Sequence, residues 1–201
     1  MKKRWFKIII PIVSVALTVL VSTRIFYINS TAIQQQVEYY KMNQEVALDG
    51  CFSEIIDEKT DGYSITVHSA KLTTFGEFAK RFGVDTEGKS YDELTPESNI
   101  IDLDVTIKNV GNSDGYIFLF GWGLQSQNDE WVPCLELWEM EFEQTAGSLS
   151  FALRPDTEMR LNIPFETNND YEFMHGTYPV ENRYNFVISR APVKKIITID
   201  L

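Results

Sequence analysis

Residues 101–109 read Ile-Asp-Leu-Asp-Val-Thr-Ile-Lys-Asn, so that Ile101, Leu103, Val105 and Ile107 alternate with Asp102, Asp104, Thr106 and Lys108. Successive side chains of an extended chain point to opposite faces, and a period of two therefore predicts a strand with one face in a core and the other in water. The same period recurs on both sides of this stretch. Tyr63, Ile65 and Val67 alternate with Ser64, Thr66 and His68, while Met159, Leu161, Ile163 and Phe165 alternate with Arg160, Asn162, Pro164 and Glu166. A proline cannot donate to a strand ladder, so Pro164 predicts an edge position or a bulge. Tyr184, Phe186 and Ile188 begin a further strand, and Ile197, Ile199 and Leu201 form the last. From residue 109, the run Asn-Val-Gly-Asn-Ser-Asp-Gly115 predicts a turn-rich connection, a hairpin or a crossing between sheets, into Tyr116-Ile-Phe-Leu-Phe120.

One helix is expected within this pattern. Thr74-Phe-Gly-Glu77 has capping-box spacing, Phe75, Phe78 and Phe82 share a helical face, and Gly83 stands where a helix would stop. It is expected to lid one end of the domain. Two packed antiparallel sheets with about seven unevenly spaced strands describe a mainly β chain, an immunoglobulin-like β-sandwich with one short helix. The Cys-Trp-Cys spacing of antibody domains is absent.

The chain opens Met-Lys-Lys-Arg-Trp-Phe-Lys, followed by an uninterrupted apolar run over residues 8–21. That run alone equally suits the apolar region of a signal peptide. Widened to residues 5–27 it makes a helix of about 33 Å, enough for a hydrocarbon layer of ~30 Å. Trp5 and Tyr27 then fall at the two interfaces, with Arg24 able to snorkel at the far end. Residues 20–24, Leu-Val-Ser-Thr-Arg, offer no A-x-A-like cleavage site, which favours an uncleaved anchor. Lys2, Lys3, Arg4 and Lys7 precede the helix and only Arg24 lies at its far end, so the positive-inside rule puts the remainder of the chain outside the cytoplasm. The expected organisation is a basic segment at 1–7, a transmembrane anchor at 8–28, a polar stalk at 29–44 and an extracytoplasmic domain at 45–201.

All 29 acidic residues follow residue 30, against thirteen basic ones, giving that portion a net charge of −16. Such a domain is expected to repel nucleic acid and anionic lipid, and no nucleic-acid partner is expected. An apolar fraction of 44% supplies enough surface for a core without staples. Cys51 and Cys134 are compatible with one disulfide, worth about 4.5 kcal/mol on loop-entropy grounds, or with two unrelated small apolar residues. Their spacing has no C-x-x-C character.

The order of elements, Tyr63-Ser-Ile-Thr-Val67, then residues 101–109, then Leu153-Arg-Pro-Asp-Thr157 leading into Leu161-Asn-Ile-Pro-Phe165, resembles the membrane-anchored, telokin-like immunoglobulin-type domains of unknown function found in Firmicutes. The group closest in appearance, the domain-of-unknown-function family numbered five thousand and twenty-eight, has members that begin with a single apolar helix. The resemblance covers residues 45–201 and implies a Gram-positive cell-surface setting and a non-enzymatic sandwich. It assigns no ligand and no catalytic residue. In the broader family a glycine usually stands where this chain has Asp156, which leaves the type of that turn open.

The most unusual local pattern is Leu135-Glu-Leu-Trp-Glu-Met-Glu-Phe-Glu143. As a strand it would set Glu139, Glu141 and Glu143 along one face against Trp138, Met140 and Phe142. Such a row invites calcium, but no D-x-D-x-D-G loop supplies the remaining oxygens, and a solvated outer face accounts for it. A metal-assisted hydrolase using the carboxylates of Glu136 to Glu143, or a glycosidase pair drawn from Glu136, Glu139 and Glu141, is the enzymatic alternative. His68, on a strand, and His175, in a loop, are the only histidines, and no G-x-S-x-G or S-x-x-K context is present. Trp122, Trp131 and Trp138 lie within seventeen positions, just after Tyr116, Phe118 and Phe120. Core packing is the default for such aromatic residues, but they mark contact surfaces when exposed, so the candidate partner surface is Trp122 and Trp131 with Glu139, Glu141 and Glu143. No catalytic residue or cofactor is assigned. The leading expectation is a single-pass surface protein that presents an acidic domain to a protein or envelope partner, with a passive spacer as a further alternative.

Overall fold

The computed structural model describes residues 2–31, 35–84, 94–127, 129–141, 149–167 and 181–201. It falls into two units, residues 1–34 and 35–201. The first is one helix, α1 (Lys2–Thr31), with Pro11 inside it. Its stretch Pro11–Thr31, 21 residues, is long and apolar enough to cross a membrane, and none of it is buried against protein.

The second unit runs β1 (Gln36–Lys41), β2 (Val46–Ala47), β3 (Tyr63–Thr74), α2 (Phe75–Arg81), β4 (Asn99–Asn109), β5 (Ile117–Phe118), β6 (Gly123–Gln125), β7 (Glu130–Trp131), α3 (Leu135–Glu141), β8 (Ser150–Phe151), β9 (Thr157–Glu166), β10 (Arg183–Ser189) and β11 (Val193–Asp200). One sheet has the order β1-β11-β10-β6-β7, the other β2-β3-β4-β9, and β5 pairs with β8 apart from both. Among the described residues all strand pairings are antiparallel except β1 with β11. The chain is a β-sandwich.

Alternation in β4 does what its pattern dictates. Ile101, Leu103, Val105 and Ile107 are fully buried and share one core with Phe186 and Ile197 of the facing sheet and with Trp122, which precedes β6. Each such aliphatic side chain contributes roughly 1.5–3 kcal/mol when it leaves water. Aromatic rings stitch the layers together: Phe186 receives Trp122 at 5.5 Å and Phe165 at 5.8 Å, both edge-on. Pro164 lies on β9, an edge strand of its sheet, where its missing N–H costs no ladder bond. The turn after β4 is pinned by buried Asn109, whose Nδ2 donates to the carbonyls of Asn112 and Leu153, each at 2.8 Å. That connection is a crossing, since β4 and β6 belong to different sheets. Asp156 adopts φ of 58° and accepts from the Gly111 N–H at 3.1 Å, so the left-handed turn persists without glycine.

Four expectations need correction. Residues 36–41 are not stalk: β1 aligns with six residues of β11, and Tyr40 and Met42 pack on the core. The aromatic run 116–120 forms two strand residues and then a 3₁₀ turn, Leu119–Gly121, not a full strand. α2 forms where expected, with the Thr74 hydroxyl accepting from the Glu77 N–H at 3.3 Å, but it covers the outer face of the four-stranded sheet. Phe75, Phe78 and Ala79 pack there on Ile100, an outward position of β4, and Leu137 of α3 completes this second core. The last correction is α3 itself, a second short helix where a strand was expected. Leucine, methionine and glutamate favour helix, and the apolar pairs Leu135 with Trp138 and Leu137 with Met140 stand at helical spacing as readily as Glu139, Glu141 and Glu143 alternate.

Candidate functional site

The helical form of α3 dissolves the carboxylate row. Glu136 is exposed, Glu139 is half-buried and Glu141 turns toward the outer face of the four-stranded sheet, while Glu143 lies outside the described residues, as does His175. Among the described residues no three His, Cys, Asp or Glu groups converge as a metal site would require. His68 is bound to Thr106 Oγ1 at 2.8 Å. Trp122, a candidate contact residue with core packing as its default, is 1% exposed and belongs to the core. Trp138 is equally buried and stacks on Phe151 at 6.2 Å.

Trp131 remains at the surface. β7 ends on it, the chain continues through Val132, Pro133 and Cys134 into α3, and this bend encloses an open groove of about 460 Å³. Trp131, Phe120, Val132 and Leu135 give it apolar walls, and Glu130, Glu136 and Glu166 line it with carboxylates. Trp131 is half-buried and held by the edge of Tyr184 at 6.1 Å, so its ring is fixed rather than free. Phe120 is 41% exposed and Val132 49%. Glu130 forms an ion pair with Arg190 and accepts from Gln125 Nε2 at 2.8 Å. Burial alone would raise the Glu130 carboxyl, but the Arg190 and Gln125 bonds prevail and hold it below the usual carboxylate range. Cys134 anchors the bend: its N–H donates to the Pro164 carbonyl at 2.9 Å, and its carbonyl accepts the Trp138 N–H at 3.0 Å. Its thiol, bonded to Glu136 at 3.3 Å, is pushed up to about 12 by burial first and the Glu136 charge second, which makes it a poor nucleophile. Cys51 is buried, and both cysteines are free thiols.

A family model, described as a domain of unknown function (DUF5028), matches residues 37–195. The chain belongs to the DUF5028 family. The matched region begins within β1, so the family boundary includes the strand that composition alone assigned to a stalk. Two solved structures are similar to the chain. The yjhA protein from Bacillus subtilis is 11% identical, with a TM-score of 0.42, over 80% of this chain and 99% of that one. MPT63, a secreted protein from Mycobacterium tuberculosis, is 8% identical, with a TM-score of 0.41, over 84% of this chain and 100% of that one. No curated protein matches the chain.

The groove was only half legible in the sequence. Trp131 carried a signal as one of a cluster of tryptophans, but Phe120, Val132 and Glu130 come to it from the 3₁₀ turn and the β7 bend, which no periodicity announces.

Proposed function

We propose that this chain is a single-pass membrane protein whose DUF5028 domain lies outside the cytoplasm and acts, without catalysis, as a binding module for a cationic segment of a protein or envelope partner. The observation that carries the reading is the groove, in which Trp131 and Phe120 stand beside Glu130 and Glu136 on a domain of strongly negative charge. Aromatic faces attract cations through the ring quadrupole, and flanking carboxylates add attraction that salt weakens. Anchoring is supported by the apolar stretch Pro11–Thr31, and outward orientation by the four basic residues before it against Arg24 alone within it.

The test uses the full-length chain in a nonionic detergent and a fluorescent deca-lysine peptide. Trp131→Ala is expected to weaken peptide binding about tenfold, the scale of a partly desolvated cation–π contact. Glu158→Gln, which removes a charge on β9 away from the groove residues, should leave binding within about twofold. Equal losses in both variants would reduce the interaction to diffuse charge and remove the groove from the account.

A further inference from the structure

Alternation along β4 assigns Asp102 to the water-facing side of its sheet, yet it is only 3% exposed. α2 and α3 cover that side. In register, Asp102 lies opposite Lys71 of β3 and Pro164 of β9. Its Oδ2 accepts from Arg81 Nη1 and from Asn162 Nδ2, both at 2.8 Å. Its Oδ1 is buried and has no hydrogen-bond partner among the described residues. Glu141, the last residue of α3, comes to the same place. Its Oε1 accepts from the Asn162 N–H at 3.2 Å, and its Oε2 is likewise buried without a partner among the described residues.

Arg81 is bonded to Asp102 and reaches Glu141 only through its charge, and each carboxyl keeps a buried oxygen with no hydrogen-bond partner among the described residues. Burying an ionised carboxylate with an empty oxygen is strongly unfavourable, and two in one place compound the cost. The surrounding cations do not relieve it. Arg160, next along the sheet, is committed to Asp104 through two hydrogen bonds, and Lys71 is exposed. On α2, Glu77 accepts from Thr73 Oγ1, and Arg81 lies over the rings of Phe78 and Phe82. One proton resolves the conflict, and Glu141 is the more exposed of the two and sits at a helix end.

We propose that Glu141 is a proton-operated latch: neutral, it seats the last turn of α3 against Asp102 and Asn162 on the outer face of the four-stranded sheet, and ionised, it releases that turn. Burial pushes the Glu141 carboxyl up to about 7, the Asp102 charge reinforcing it and the Asn162 amide and Arg81 opposing. The folded value lies above that of an unfolded glutamate, about 4.3, so the latch stabilises fully below that pH and loses its contribution as pH rises through 7. Asp104 does not compete in this range, because its hydrogen bonds to Arg160 hold it below the ordinary value. The imidazole of His68, bonded to Thr106, acts on Asp104 rather than on Glu141, and a His68→Gln background separates its titration from that of Glu141. α3 also supplies Leu135 and Glu136 to the groove, so on the binding reading above the latch would couple groove shape to external pH. The latch is tested without any ligand and stands or falls separately.

The experiment follows the carbon-13 signal of the Glu141 side-chain carboxyl and the amide signal of Asn162 in the full-length chain in nonionic micelles, from about pH 4.5 to 8.5. Both are expected to titrate together with a midpoint near 7. The melting temperature should fall by about 3–6 °C more between pH 5 and 8 in the parent than in Glu141→Gln, which keeps the side chain neutral throughout. A Glu141 midpoint below about 5.5, or an Asn162 amide that does not respond between pH 5.5 and 8.5, would overturn the latch. The spectroscopic titration needs no variant to fold.

Discussion

Trp122→Ala is expected to cost about 4 kcal/mol of stability, seen as a drop in melting temperature of about 10 °C. Trp122 is 1% exposed, sits edge-on to Phe186, and shares a core with Ile101, Leu103 and Leu124. Alanine there removes an aromatic ring from a region that backbone hydrogen bonding prevents from collapsing, so both the transfer and the cavity terms apply. Trp131→Ala is the contrast, because its ring is half-buried and its Tyr184 contact is worth about 0.5–1.5 kcal/mol beyond area. Equilibrium denaturation of the two variants checks this. Similar losses for both, or a loss below about 1 kcal/mol for Trp122→Ala, would show that the two sheets do not close over that ring.

A chain that begins at residue 45 is expected to be far less stable than one that begins at residue 35. The shorter chain loses β1, whose six residues align in register with β11, together with Tyr40 and Met42 on the core. Ladder hydrogen bonds at about 0.5–1.5 kcal/mol each and two partly buried side chains put the loss at roughly 4 kcal/mol. The cut also uncovers one side of β11, whose unpaired backbone groups then template association with other copies. The longer chain is expected to be monomeric and to unfold cooperatively, and the shorter to melt at least 10 °C lower and to aggregate, as read by calorimetry and gel filtration. Equal stability of the two would return residues 36–41 to the role of a linker.

Strands were readable where one face meets the core and the other meets water, as in Tyr63–Val67, residues 101–107 and 159–165. α2 was readable because capping chemistry is local: Thr74 and Glu77 need only each other. The failures share a cause. β1, Gln-Val-Glu-Tyr-Tyr-Lys, is an edge strand with a mostly exposed, polar surface, and such a surface looks like a linker until its partner β11 is known. The α3 segment satisfies both a period of two and a helical period, and the choice was made by Leu137 and Trp138 having cores on two sides to fill. Trp122 and Trp131 are both tryptophans after a turn-rich stretch, and only the packing of Phe186 and Tyr184 distinguishes them. Asp102 looked like a solvated charge because nothing in β4 records that two helices later cover its face.

The measurement that tests the central claim most directly is the labelling of Tyr39→Cys by a membrane-impermeant maleimide in intact cells expressing the full chain. Tyr39 is 68% exposed on β1, whereas Cys51 is buried and Cys134 is held far from its thiolate form, so the parent supplies a low background. The account predicts labelling of intact cells as complete as that of permeabilised ones. Labelling that appears only after permeabilisation would place the domain in the cytoplasm and contradict the account.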